Sequence, residues 1–478
     1  MKKAFLTNLA IVLGLNLTIK PLWIFIIDRN VQNQVGLAEF GTYFSLFNFS
    51  YLFYIILDLG LTGFNNRNIA QNSHLLSKHF SRMVMLKLTL AVVYLAVCCA
   101  IGFIIKYDAR HMKLLMILCF NQFLISFILY LRSNISGMHF FKTDSLISVT
   151  DRLIGIAICA PIIWWHFLGG IDIMNYVYAQ TASYLLTAII AFSIVVNKAG
   201  FIKFDWGRTF SIMILKQSFP FAILGALMIF FNRIDSVMLE RMLNDNGVEA
   251  GVYAQAFRLL DAANMVSVLS AGLLLPMFAR MLKYKESVES LVKVSYTMFM
   301  ALAIMVAAGC FFYGENMMHM LYTGDVTEST RVFQVLMCCF MGTATQYIFS
   351  TLLTANGNLK QLNIIAGFGM AINIGVNFIV IPHFHAIGSA CVSLSTQLFV
   401  ALVQMVVVQR IFKFDMLFKL LATLAIFAVG VIGINYLSLK LPYDWRISFV
   451  LMCGASGIFA FAIGLLNVKG FLNVMKNG

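Results

Sequence analysis

The chain has 478 residues and a formal net charge of +14; 61% of its residues are hydrophobic and only 11% charged. A water-soluble domain of this size cannot hide that much apolar surface, so the composition excludes one and points to a multi-span membrane protein. The basic excess falls mostly in loops, where Lys and Arg set orientation and meet anionic lipid headgroups, so membrane lipids are the expected partner and nucleic acid is not.

Apolar runs of about 20 residues recur along the chain, strands of alternating polarity do not, and prolines number only six, so the spans are helices. The first run, from Met1, carries basic residues and briefly resembles a secretion signal. It continues past Asn16 and Lys20 to Ile27 with no small-residue cleavage site, and reads as a retained span. About fourteen spans are expected, near 5–27, 39–63, 83–105, 112–136, 144–168, 172–196, 213–239, 249–275, 291–313, 330–354, 362–382, 385–409, 416–437 and 447–467. With the N-terminus inside, inner loops and span ends hold 18 Lys and Arg against 8 on the outside, which places both termini in the cytoplasm. Of the basic residues inside spans, Lys87, Lys216 and Lys293 lie near cytoplasmic ends and are expected to snorkel. Arg132 lies about a turn from such an end, and Lys20, Arg152, Arg233 and Arg258 lie deeper.

A short repeat links the mouths of the second and eighth spans. Glu39, Gly41 and Tyr43 match Glu249, Gly251 and Tyr253 at a constant offset of 210. A weaker echo pairs Gly137 and Lys142 with Gly357 and Lys360. An offset of six spans preserves orientation, so the expected fold is all-α, with two parallel six-helix repeats around a central cavity and two added helices. The corresponding domains are 1–200, 201–411 and 412–478. In the repeated motif the glycine is expected to permit close helix approach, and the tyrosine to anchor at headgroup level.

The stretch from Lys216 to Pro276 carries the densest intramembrane charge: Arg233 and Asp235 on one span, Arg258 and Asp261 on the next. Each such charge costs roughly 3 kcal/mol unless it faces protein or water. Arg233 and Asp235, two apart, point away from each other; Arg258 and Asp261, three apart, share a face and can pair. Two readings stand: ion pairs that lock the spans, or cations that hold an anionic substrate, for which the planar guanidinium fork suits phosphate. Span direction puts Lys20 in an outer half and Asp58, Asp151 and Arg152 in inner halves. The carboxylates Asp58, Asp151, Asp235 and Asp261 serve either to pair with neighbouring cations or to bind Na⁺ or H⁺ as a coupling ion. Pairing is the preferred account for Asp151 and Asp261, and Asp58 reads as an anchor of its span's cytoplasmic end.

Amides such as Asn48, Gln122, Gln180 and Gln397 inside spans read individually as interhelical glue and together as a lining fit for sugar hydroxyls. Aromatic density fits lipid packing before sugar stacking. The nine cysteines sit in apolar spans without metal-ligand spacing and read as small packing residues; no metal or organic cofactor is expected. His383 and His385 flank a short outer loop without further ligands. No nucleotide-binding, zinc-protease or serine-hydrolase motif is present, so no catalytic residue is assigned.

The block VGLAEFGTYFSLFNFSYLFYIILDLGLTGFNNRNIA, and a second block carrying Pro220, Arg233, Asp235, Gly251, Tyr253, Arg258 and Pro276, resemble bacterial polysaccharide flippases. These belong to the multidrug/oligosaccharidyl-lipid/polysaccharide exporter superfamily, and the likeness weakens after about residue 415. The resemblance implies alternating-access movement of undecaprenyl-pyrophosphate-linked oligosaccharide across the bacterial inner membrane. It implies Arg233 and Arg258, then Lys20 and Arg152, as pyrophosphate ligands, and other polysaccharide-assembly membrane proteins as partners. Lipid II flippases and ion-coupled drug exporters are the alternatives within the superfamily. A membrane polymerase or ligase is the alternative outside it, disfavoured by outer connections no longer than 314–329.

Overall fold

Long apolar segments with few prolines fold as long helices, because only an intrasegment hydrogen-bond ladder satisfies the backbone away from water. The computed structural model describes residues 14–71, 76–138, 140–165, 169–199, 208–414 and 417–465, and these are nearly all helical, with no strand among them. Among the described residues, eleven helices are long and apolar enough to cross a membrane, or twelve if the bent pair Leu37–Leu52 and Ile55–Gly63 counts as one span. The helix Leu359–Phe412 runs for 54 residues, far more than one crossing needs, and breaks at His385 (φ 53°, ψ −141°). The break falls between the two spans expected there, and the left-handed φ on a non-glycine residue marks a strained turn. The described chain divides into two compact units, Met1–Gly251 and Val252–Gly478.

In the first unit, helix Ala109–Gly137 packs against Leu37–Leu52, Leu61–Gln71, Leu76–Ile104 and Ile173–Ala199. Leu61, Ile69, Phe80, Leu131, Ile135 and Ala191 build one apolar core with them. Gly137 lets Leu61–Gln71 approach, since a Cβ there would stand 2.9 Å from Ile69. Gly357, its echo in the sequence, instead turns the chain at φ +82° in open space, so the two glycines do different work.

Close backbone contact explains the repeated glycine. A Cβ on Gly41 would lie 2.0 Å from the Gly247 carbonyl oxygen, and one on Gly251 would lie 2.2 Å from that of Leu37. The two motif glycines therefore meet backbone to backbone, as expected of small residues at a helix crossing. The repeated tyrosines do not anchor at the headgroups: Tyr43 and Tyr253 are each 1% exposed. Gln180 donates to the Tyr43 hydroxyl (3.0 Å), while the Tyr253 hydroxyl pairs with Ser393 (3.5 Å). Within each unit the motif tyrosine thus reaches the last helix of its own repeat, 137 or 140 residues later. A phenol buried among apolar helices needs such a partner, and that need outranks interfacial anchoring.

Lys87 also departs from expectation. Its side chain is 1% exposed and does not snorkel, whereas Lys216 and Lys293 are exposed. The ammonium donates to Asp58 Oδ1 (2.6 Å), the Leu57 carbonyl (3.0 Å) and Ser126 Oγ (3.0 Å). Leu57 and Asp58 end the short helix Ile55–Asp58, after which Leu59 and Gly60 take positive φ. The cation therefore satisfies carbonyl and carboxylate at a helix C-terminus, where the helix dipole favours positive charge. Asp58 does anchor its span, through a buried ion pair.

In the second unit, helix Thr327–Ala355 packs on Glu289–Phe312 and Leu359–Phe412. Gln346 donates to the Gln397 carbonyl (2.9 Å) and Thr343 to Asn264 (2.7 Å), so these amides do act as interhelical glue. The added helices Leu417–Ser438 and Trp445–Ala462 pack on each other and on Glu289–Phe312. There the Tyr313 hydroxyl meets Ser438 (2.7 Å), and Phe449 fills the space beside Gly309. The nine cysteines are free thiols.

Two substitutions test this packing. Gly251→Leu is expected to cost about 2–3 kcal/mol through backbone overpacking, read as a fall in the unfolding temperature of detergent-solubilised protein. Gly433→Ala, where a Cβ meets nothing within 4 Å, leaves that temperature unchanged or slightly higher. Lys87→Met is expected to cost about 3–5 kcal/mol by leaving Asp58 uncompensated, and the double variant Asp58→Asn/Lys87→Met to recover most of it. If the double variant proves as unstable as the single one, the ion pair is not what holds this turn.

Candidate anion site in the first unit

Two helices of the first unit, residues 14–35 and Phe141–Trp164, run side by side in one register. Asn16 donates to Ser148 Oγ at 3.1 Å. Four residues on along each helix come Lys20 and Arg152, and three further on come Trp23 and Gly155. Trp23 fills the space a Gly155 side chain would need, its ring carbon 2.6 Å from the Cβ position. Asn16 and Ser148 stand 132 positions apart, and the same offset recurs at the other two steps, so the helices are parallel and their shared register sets Lys20 beside Arg152. Lys20 lies within the fields of Arg152, Asp151 and Arg132.

The backbone of the first helix is altered at this level. Trp23–Asp28 forms a π-helical turn in which both end residues are buried. In an α-helix, residues five apart point about 140° away from each other. The i→i+5 bonding of a π turn stacks them, and such turns occur often at functional sites. Trp23 and Asp28 are thereby both turned inward. Asp28, 1% exposed, accepts a hydrogen bond from the Tyr176 hydroxyl and contributes to the field at Arg152.

The Arg152 guanidinium lies 5.1 Å from the centre of the Trp23 ring and 5.9 Å from that of Tyr184, within cation–π range of both. Its Nε is 3.5 Å from Asp151 Oδ2, the pairing expected for Asp151, though neighbours in sequence on one helix cannot align well. Among the described residues the guanidinium makes no hydrogen bond, and the Lys20 ammonium makes neither hydrogen bond nor ion pair. Two cations thus share a half-buried position with aromatic walls and donors to spare. Chemically, that arrangement accepts an anion with several oxygens, and phosphate fits the guanidinium fork.

Of the expected anion ligands, Lys20 and Arg152 are brought together, although span direction placed them in opposite membrane halves. Arg233 stands elsewhere in the same unit, its guanidinium 5.6 Å from the Tyr51 ring centre. Arg258 and Asp261 belong to the second unit and are half-buried. Asp235 is 2% exposed, on the same helix as Arg233. Arg132 is held in place by a two-pronged pair with Asp144, at 2.7 and 3.4 Å. Asp28, Trp23 and Tyr184 escaped the sequence reading. The apolar run stops at Ile27, which left Asp28 outside the first span, and no 3.6-residue period links it to Trp23. Among the described residues, no group of three or more His, Cys, Asp or Glu is placed to hold a metal ion.

Comparison with known proteins places this architecture. The chain matches no curated protein by sequence. Its fold is that of a lipid II flippase, MurJ, in an inward closed conformation, with a TM-score of 0.71 at 12% identity over 98% of this chain and 99% of that one. It is also similar to an inward-facing multidrug resistance MATE family transporter of the MOP superfamily (TM-score 0.61, 14% identity, 80% of this chain and 92% of that one). A MOP-superfamily transporter from Pyrococcus furiosus Vc1 follows (TM-score 0.60, 15% identity, 85% and 95%); its report describes a binding pocket of reversed polarity. These likenesses establish the fold. Residues 6–282, more than half of the chain, match the family model described as polysaccharide biosynthesis protein. The chain is therefore a member of the polysaccharide biosynthesis protein family, built on the helical fold of MOP-superfamily transporters.

Proposed function

We propose that the protein is an alternating-access flippase. It moves undecaprenyl-pyrophosphate-linked oligosaccharide from the cytoplasmic to the periplasmic leaflet of the bacterial inner membrane, for surface polysaccharide synthesis. The observation that carries this reading is the pairing of Lys20 with Arg152 in the first unit, with donors that the protein itself leaves uncommitted. Like charges set together at membrane depth are unfavourable until an anion arrives. A pyrophosphate supplies oxygens to both, while the lipid tail remains in the bilayer. Arg233 and Arg258 serve as further phosphate ligands along the path. Transport is coupled to H⁺ or Na⁺, and the buried Asp28 joins Asp235 as a carboxylate suited to that exchange. Both termini lie in the cytoplasm, and other polysaccharide-assembly membrane proteins deliver and consume the substrate.

A lipid II flippase is the second reading. It is favoured by the fold match along almost the whole chain and by the same need for a pyrophosphate site. A drug exporter fits a cation pair less well, because its cationic cargo would be repelled. A polymerase or ligase is the less supported reading, because the connection after Phe312 holds the short helix Gly314–Leu321 and little else.

The test is genetic complementation. Lys20→Ala and Arg152→Ala each remove charge-assisted contacts of about 1.5–3 kcal/mol, which corresponds to roughly a tenfold to hundredfold loss of affinity. Surface glycan measured on cells carrying either variant should fall by at least tenfold while the variant accumulates in the membrane at the normal level. Arg233→Ala and Arg258→Ala should impair export too. Full glycan display by a Lys20→Ala/Arg152→Ala double variant would refute the site. Rescue of a strain lacking its lipid II flippase, with no effect on other glycans, would select the second reading.

A further inference from the structure

The helix that enters after Gly36 carries aromatic residues along one edge. Phe47 and Tyr51, four positions apart, share a face of helix Leu37–Leu52; Tyr54 lies in the bend that follows, and Asp58 ends the short helix Ile55–Asp58. The Phe47 and Tyr51 rings are stacked (centroids 6.3 Å apart, planes at 6°), as are those of Tyr51 and Tyr54 (5.3 Å, 29°). Phe47 continues to Tyr43 at 6.1 Å, and Tyr43 to Tyr176 at 5.4 Å, which in turn stacks on Trp23 at the anion site. The upper rings are buried: Tyr43, Tyr176 and Trp23 are 1%, 0% and 4% exposed. On the helix Phe47 and Tyr51 are only half-buried, while Asn48, Phe49, Ser50 and Leu52 are fully covered; in the bend beyond it Phe53, Tyr54, Ile55 and Ile56 are all half-buried. One edge of this helix is therefore left accessible within its unit, and it leads down from the anion site.

That edge does not suit lipid tails, because the Arg233 guanidinium stands 5.6 Å from the Tyr51 ring centre. A charged group beside the rings favours a polar neighbour over hydrocarbon. Water alone gives no reason for a row of stacked rings. A pyranose has an apolar C–H face and a rim of hydroxyls, and tyrosine has an apolar body with a polar tip. From Phe47 to Tyr51 the ring centres step 6.3 Å, and from Tyr51 to Tyr54 another 5.3 Å, long enough for more than one sugar ring.

We propose that Phe47, Tyr51 and Tyr54 form a sugar-stacking lane that binds the oligosaccharide part of the cargo. The inference rests on the flippase reading above, but it concerns the glycan rather than the phosphate. The lane holds glycans by ring faces, so it tolerates different sugars while the anion site fixes the head.

The test uses full-length protein in lipid nanodiscs and two probes. One is lipid-linked oligosaccharide extracted from cells in which export is blocked; the other is undecaprenyl pyrophosphate without sugar. Phe47→Leu and Tyr51→Leu should weaken binding of the glycan-bearing probe at least tenfold and of the bare lipid less than twofold. Tyr51→Phe should keep the affinity within threefold, since it retains the ring. Equal losses for both probes would mean that the rings only support the fold, and unchanged binding of both would mean that the glycan does not use them; either overturns the lane and leaves the phosphate reading intact. Wild-type protein that binds neither probe overturns both.

Discussion

Two side chains of like charge, Lys20 and Arg152, are held together where a membrane protein can least afford it, and several features of the first unit exist to keep them there. The Asn16–Ser148 hydrogen bond sets the register of the two helices one turn before the cations. Gly155 keeps that register one turn later by leaving room for Trp23, which lies beneath the guanidinium. The π turn brings Trp23 and Asp28 to the same side. Asp151 and Asp28 offset part of this charge through their fields, but neither supplies hydrogen-bond acceptors to the Lys20 ammonium or across the guanidinium fork. Together these features make a position whose electrostatic deficit is met best from outside, by an anion with several oxygens. Charged groups elsewhere in the unit are handled differently: Lys87 is closed off by Asp58, and Arg132 by Asp144. The contrast separates closed ion pairs from two neighbouring cations that Asp151 meets only at 3.5 Å, on Arg152 Nε.

The motif that recurs at an offset of 210 does matching structural work at both positions. Gly41 and Gly251 permit a contact that no side chain fits, and Tyr43 and Tyr253 each tie the start of a repeat to its final helix. These are constraints of packing, and they survive in sequence because each has a single cheap solution. The weaker glycine echo did not survive as structure. Gly137 faces Ile69 at close range, whereas Gly357 turns a loop at positive φ.

Much of the fold could be read from the chain alone, because bilayer thickness and backbone hydrogen bonding leave one spanning solution for runs of about 20 apolar residues. The candidate site was only partly legible. Lys20 and Arg152 could be listed as costly intramembrane cations, but their proximity depends on a register between helices 132 positions apart, which no local pattern reports. Asp28 was hidden by the π turn, since helical periodicity assumes the turn is regular. Lys87 looked free to reach the interface because nothing in its own segment announces Asp58, Leu57 and Ser126 as partners. For the tyrosines, position near a span mouth implies exposure, but helix packing buries both. In each case the missing information lay between segments rather than within one.

If the cation pair is kept for a ligand and not for the fold, it should lower the stability of the unliganded protein. The decisive measurement is therefore the unfolding temperature of purified protein without and with undecaprenyl pyrophosphate, for wild type and for Lys20→Met. The account predicts that the variant unfolds at a higher temperature than wild type when lipid is absent, by about 2 °C for each kcal/mol of repulsion relieved, and that it gains less than wild type when lipid is added. A variant that is less stable without lipid, and that responds to lipid as fully as wild type, would contradict the account.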